Sequence, residues 1–231
     1  MNYDWQAGVV LLATIVVLTK IGYFLAFRIP DLQRMRELNR EQDQLKRAKE
    51  KYPPVIRANN RIGLATNALF FLALAPFVIT LEAQPWWRYP LDLFLILMIY
   101  DFAYYLTHRF LFHGPILLRV HALHHQARDP TYIDAFYVHP LETFIGIALF
   151  MGTVLALGAG IGPFNAFTVV AAYLAFMQLN TINHTKVQLP YFPWRNLSWI
   201  TAKHAVHHEN MQKGNYATIT LLYDRLFGTL D

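Results

Sequence analysis

Cysteine is absent from the 231 residues, charge is scarce, and histidine is missing from the first 107 positions. The first absence excludes a disulfide framework and any thiolate site, so a bound metal would have to be held by His or carboxylate. Charged residues make up 15% of the chain, against about 25% in an ordinary soluble domain. Hydrophobic residues make up 55%, and this shortage of water-facing side chains points to lipid as the main solvent. The net charge of +5 has a local origin, given below, and does not indicate nucleic acid.

A membrane-spanning helix needs roughly 20 mostly apolar residues. Five segments come close: Trp5 to Phe27, Gly63 to about Glu82, about Leu91 to Thr107, Thr143 to about Ile161, and Phe164 to about Gln178. The first lacks a basic leader, is too long for a signal-peptide core, and reads as an anchor. The stretches "QPWWRYP" (Gln84 to Pro90) and "GAGIGP" (Gly158 to Pro163) are expected to close two apolar hairpins. The predicted fold is all-α, a multi-span integral membrane bundle of an N-terminal span and two hairpins. Residues 1–62 would form an anchor and a basic helix, and residues 63–231 the functional domain.

Between the first two spans lies "RIPDLQRMRELNREQDQLKRAKEKYPP". Pro30 and Asp31 suit a helix start, and Pro53–Pro54 a stop. Leu32, Met35, Leu38 and Leu45 leave a thin apolar stripe among Lys and Arg. The pattern fits a solvated charged helix or one lying on anionic lipid, and both readings stay open. Short loops rich in Lys and Arg stay cytoplasmic. With residues 28–62 inside, five spans place 108–142 and 179–231 inside as well, on the cytoplasmic face of a bacterial inner membrane or endoplasmic reticulum. The sequons at Asn183 and Asn196 are then expected to be silent.

All ten histidines fall between positions 108 and 208. They read "HRFLFH" (His108, His113), "HALHH" (His121, His124, His125), "YVHPLE" (His139), "NTINH" (His184) and "HAVHH" (His204, His207, His208). On a helix, positions i, i+3 and i+4 share a face, so each HxxHH is expected to present three imidazoles in one direction. Neutral imidazole is a ligand for Fe, Zn, Cu and Ni, and spacing does not name the metal. Clustered imidazoles without a cation would suffer desolvation and mutual repulsion. A tetrahedral zinc ion takes four ligands, so this many nitrogens suit two metals in one pocket. Glu142 and Glu209 are candidates for orienting ligating rings. Aromatics of the third span (Tyr100, Phe102, Tyr104, Tyr105), with Phe136 and Tyr137, either line a substrate pocket or pack helices.

From about Asp101 to Asp231 these boxes, with "HPLE", the isolated "NH" and the closing "GNYATITLLYDRLFGT", resemble the fatty acid hydroxylase/sterol desaturase superfamily. The resemblance implies a membrane-bound non-haem di-iron enzyme with the iron site capping the bundle at the cytoplasmic face. The metal ligands it implies are His108, His113, His121, His124, His125, His184, His204, His207 and His208, with His139 and Asn180 as further candidates. It also implies O2 as co-substrate, two electrons from a cytochrome b5- or ferredoxin-type partner, and hydroxylation of an unactivated C–H bond of a fatty acyl, sterol or related lipid. Desaturation on the same site is the nearest rival. A histidine-lined metal transporter is more distant, because transporter ligands sit near the bilayer midplane, whereas these histidines follow the spans. A structural zinc staple would not need ten imidazoles.

The chain departs from the family pattern in places. "HRFLFH" has the four-residue spacing of fatty acid 2-hydroxylases, while "TYIDAFYVHPLE" is more similar to the sterol branches. Asn180 stands where some relatives have His, Ala217 where Gly is common, and Tyr223 where Trp is common. The chain stops directly after "GTLD", where the family pattern leads us to expect a short C-terminal extension.

Overall fold

The computed structural model describes residues 3–189 and 191–231, and they are mostly helical. Helix α1 (Trp5–Ala26) starts on the Asp4 side chain, which accepts from Ala7 N at 2.9 Å. Of its buried residues, Ala7, Leu11 and Ile15 recur every four positions and, with Gly8 beside them, form one inward stripe. The other faces of α1, with Val9, Val16, Val17, Ile21 and Phe24, are exposed. A helix this apolar and this uncovered is suited to lipid contact.

Helix α2 (Pro30–Arg47) carries the basic stretch. It is neither free in water nor held only by lipid, because polar side chains fasten it to the rest of the protein. Asn39 is buried and exchanges two hydrogen bonds with the Lys186 backbone, at 2.9 and 3.0 Å. Asp43 accepts from Ile133 N at 3.0 Å, and Lys46 pairs with the buried Asp134. Pro53 and Pro54 lie in the first turn of α3 (Tyr52–Leu69) and open that helix instead of closing the one before. The expected division at 62/63 falls inside α3.

The expected second span is interrupted. After Leu69 the chain widens into a π turn at Phe70–Leu74 and tightens into a 3₁₀ turn at Ala75–Phe77. Pro76 sits in that turn, where its missing N–H and its ring break the helical ladder. The chain then forms strand β1 (Ile79–Thr80), which pairs in parallel with β2 (Phe164–Asn165). These two-residue strands are a local exception in an otherwise helical architecture, which is compatible with the expected all-α fold.

Helix α4 (Arg88–Thr107) runs on through a π turn at His108–Phe112. A short α5 (Leu118–His121) precedes α6 (Pro140–Ile161), and α7 (Ala166–Ile182) follows at once. The "GAGIGP" turn begins later than expected, since Gly158 and Gly160 lie within α6. Three helices are long and apolar enough to cross a membrane: Trp5–Ala26, Arg88–Phe112 and Pro140–Ile161. Helix α7 is apolar but shorter, at 17 residues. Five spans were expected, and three meet that length.

The helices close a ring. α1 packs on α7, α7 on α4, α4 on α6, α6 on α3, and the π turn after α3 returns to α1. Phe70, Phe71, Tyr100, Phe150, Tyr173 and Phe176 fill its centre. One end carries the β1–β2 pair and the Asp4 N–H to Pro76 carbonyl bond of 2.9 Å. The opposite end carries α2, α5, α8 (Arg195–Glu209), α9 (Leu222–Leu226) and the histidine clusters described below.

Gly158 marks the closest approach of α6 to the β1 segment. A Cβ placed there would lie 2.6 Å from Val78 Cβ, whereas one at Gly152 would meet nothing within 4 Å. Gly158→Ala is therefore expected to destabilise the bundle by about 1–3 kcal/mol and to lower its melting temperature in detergent. Gly152→Ala, on the same helix, should leave that temperature unchanged or slightly higher.

Candidate metal centre

The two HxxHH boxes differ in backbone. "HAVHH" lies within helix α8, but "HALHH" does not form a continuous α-helix: α5 ends at His121 and a 3₁₀ turn begins at His124. Neither box points one way, contrary to the helical expectation. His121 and His125 join His108, His113 and His207 in one group, and His124 joins His184, His204 and His208 in a second. Each box thus contributes to both groups. Within each group the potential ligand atoms lie within 4.8 Å of one another. The groups adjoin, with the His125 and His208 rings stacked at 4.8 Å between centroids.

Seven of the nine rings are tethered through Nδ1. His108 donates to the Tyr216 carbonyl at 2.7 Å, His113 to Met211 at 2.8 Å and His207 to Gly214 at 2.7 Å. His124 donates to Tyr137 at 3.3 Å, His184 to Asn180 at 2.8 Å and His208 to Ala127 at 3.1 Å. His121 donates to the Glu142 carboxylate at 2.8 Å. A carbonyl oxygen only accepts, so Nδ1 of these rings carries the proton and Nε2 is left as a bare lone pair. Those lone pairs converge. His108 Nε2 lies 3.0 Å from His121 Nε2, and His124 Nε2 lies 2.9 Å from His184 Nε2. Two acceptors at that distance repel unless a cation lies between them. His113, His207 and His208 Nε2 are buried and have no partner among the described residues.

The protonation state agrees. Burial, helped by neighbouring imidazoles, lowers His113 and His184 to about 4. Burial also lowers His121 and His124 to about 3. His125, His204, His207 and His208 are likewise held well below the usual range, chiefly by burial. All are neutral at physiological pH, the form that binds a metal. A set of nitrogen donors in two groups of five and four fits two transition-metal ions.

The other sequence candidates separate. Glu142 reaches the centre through His121, while Glu209 is exposed and outside it. His139 caps α6, its Nδ1 accepting from Leu141 N at 3.1 Å. The Asn180 side chain donates back to the Phe176 carbonyl at 2.7 Å, so Asn180 meets His184 through its backbone. Tyr104 packs edge-on to His108 at 5.4 Å, and Tyr100 packs against Phe150 and Phe176. Phe136 and Tyr137 instead lie against α3, with Tyr137 stacked on Tyr52 at 4.1 Å. Phe102 and Tyr105 face Phe227. The aromatic candidates therefore form separate groups.

Sequence reasoning missed the tethering carbonyls, because a backbone oxygen leaves no residue-type signal. It also gave no role to Asp101 and Asp224, two of the few acids near the clusters, both fully buried. Asp101 was legible as an acid deep within an apolar span, a position that rarely lacks a role. Gly214 allows the tail to close, since a Cβ there would lie 1.8 Å from the Thr229 carbonyl oxygen.

Methylsterol monooxygenase 1 of Rattus norvegicus is 34% identical over 153 residues, which cover 64% of this chain and 50% of that protein. The Danio rerio protein of the same name is 32% identical over the same shares. Fatty acid hydroxylase vlmA of Lecanicillium sp is 29% identical over 64% of this chain and 44% of its own. The chain spans about half the length of the methylsterol monooxygenases it matches. No solved structure matches it. The sequence profile described as Fatty acid hydroxylase matches residues 93–229, from α4 through both HxxHH boxes to the tail. The chain belongs to the fatty acid hydroxylase family.

Proposed function

We propose that this protein is a membrane-bound di-iron oxygenase that hydroxylates an unactivated C–H bond of a lipid. The observation that carries the reading is the convergence of nine neutral imidazoles, eight of them buried and His113 half-buried, into adjoining groups of five and four. His108, His113, His121, His125 and His207 would hold one iron, and His124, His184, His204 and His208 the other. When bound, the iron pair supplies O2 activation and C–H oxidation, with two electrons from a cytochrome b5- or ferredoxin-type donor. The chain's own part is orientation and exclusion. Nδ1 tethers aim the rings, Glu142 makes His121 a stronger donor, and burial keeps bulk water and protons off the ligands. Tyr104, against His108, is the aromatic best placed to touch a substrate.

Lipid is the substrate class that fits both the apolar bundle and the family. Methylsterols and fatty acyl chains come first, on the names of the relatives. The histidine groups lie at one end of the helical ring and not midway along it, which favours an enzyme over a transporter. The chain is taken as multi-pass, with α1, α3, α4, α6 and α7 all crossing or embedded. The Lys- and Arg-rich α2 shares the histidine end and would face the cytoplasm, where an aqueous electron donor has access.

The orientation can be tested directly, because the native chain has no cysteine. An impermeant maleimide added outside intact cells should label Trp86→Cys and leave Lys49→Cys unlabelled. The reverse pattern would invert the topology. For the centre itself, the full chain purified with iron should hold about two metal ions, and His207→Ala should bind fewer. One ion or none in the unmodified chain argues against the paired site. In cells, His124→Ala and His207→Ala, one from each group, should abolish lipid oxidation while membrane insertion persists. Lipid profiling of expressing against deleted strains then names the substrate, and an alkene product would reassign the reaction to desaturation.

A further inference from the structure

The two histidine groups take their orientation from different stretches of chain. In the group of five, His108, His113 and His207 are aimed by the carbonyls of Tyr216, Met211 and Gly214. In the group of four, His124 and His208 are aimed by Tyr137 and Ala127, and His184 by Asn180 in the last turn of α7 just before it. The 211–216 segment serves only the first group.

That segment belongs to no helix or sheet, yet its continuation is firmly held. Five successive backbone N–H groups, from Tyr216 to Thr220, all donate to two buried carboxylates. Asp224 accepts from Tyr216 at 2.8 Å and from Ala217 at 2.9 Å. Asp101 accepts from Thr218 at 3.0 Å, Ile219 at 2.9 Å and Thr220 at 3.1 Å, and from the Thr220 hydroxyl at 2.9 Å. No Lys or Arg pairs with Asp101 among the described residues. Its charge is met by three backbone N–H groups and one hydroxyl of the tail, so the tail cannot slide by a residue without stranding it.

Asp101 lies seven residues before His108 on α4, two helical turns along the same face. The helix that presents the His108 ring therefore also grips the tail whose carbonyl aims that ring. Asn183 touches the same tail, donating to the Thr218 carbonyl at 2.7 Å, but the neighbouring His184 is aimed from within α7.

We propose that Asp101 is a positioning residue for the five-histidine group alone, fixing the register in which the tail presents its carbonyls to His108 and His207. The proposal rests on the reading of both groups as metal sites. Its test is chelator competition for Co2+ or anaerobic Fe2+ on the full detergent-purified chain. The unmodified chain should release metal in two steps. Asp101→Asn replaces one acceptor oxygen with an NH2 that faces donors, and should weaken one step by about 10–100-fold while moving the other less than twofold. In a His184→Ala background, which cripples the group of four, the surviving step should be the weakened one. Thr220→Val, which keeps the carboxylate and removes one bond to it, should shift the same step by less. It decides the matter if Asp101→Asn fails to accumulate. Equal movement of both steps, or of neither, would overturn the proposal. A single step or none in the unmodified chain would instead overturn the metal reading.

Discussion

Converging lone pairs govern the histidine end of this molecule. Nine neutral imidazoles are packed so closely that Nε2 atoms approach to 2.9–3.0 Å. Rings left to themselves would rotate to hydrogen-bond one another or admit water. Seven of them are prevented by Nδ1 tethers to oxygens, mostly on the backbone, which set both the tautomer and the ring plane. The constraint explains the irregular backbone around the site. A regular helix through "HALHH" would hold three rings on one face, whereas the chain must send His121 and His125 one way and His124 another. The break between α5 and the next turn makes that division possible.

The apolar ring beneath the centre gives those tethers a rigid base. Phe150, Tyr173 and Phe176 from α6 and α7 interlock with Tyr100 of α4 and Phe71 of the π turn. Far from the histidines, β1 and β2 tie the broken end of the α3 segment to the start of α7. The near end is tied differently, by charge. Lys46 reaches the buried Asp134, whose carboxylate also accepts from Tyr52 and from Thr131 N. This clamp holds the loop whose Tyr137 carbonyl aims His124.

Much of this was written in residue types. The lack of charge and the long apolar runs announced the bundle, and Trp5–Ala26 and Pro140–Ile161 follow the runs closely. The nine clustered histidines were legible from the HxxHH boxes, the opening pair and the isolated "NH". What stayed hidden depends on backbone and long-range geometry. Pro76 was visible, but not that the chain beyond it would pair with Phe164. The helical periodicity of "HALHH" misled because tertiary demands on three rings overrode the local preference. Glu209 looked equivalent to Glu142 by adjacency to a box, yet it points to solvent while Glu142 meets His121 across 21 residues. Asn39 and Asp43 looked like ordinary members of a charged helix, and only the fold shows them gripping loops far along the chain.

The tail that closes the five-histidine group has a consequence for biosynthesis. His108 and the oxygen that aims it are 108 positions apart, and Gly214 in turn donates to the Asp231 side chain. A nascent chain that has already inserted α4 and α6 still carries unaimed imidazoles, because the segment that orients them has yet to be made. The His108–Tyr216 and His113–Met211 contacts span 108 and 98 positions, and such non-local contacts form late. On the proposed metal reading, loading of the first group would await synthesis of the tail, and a chain truncated before Tyr216 would lack the carbonyl that aims His108.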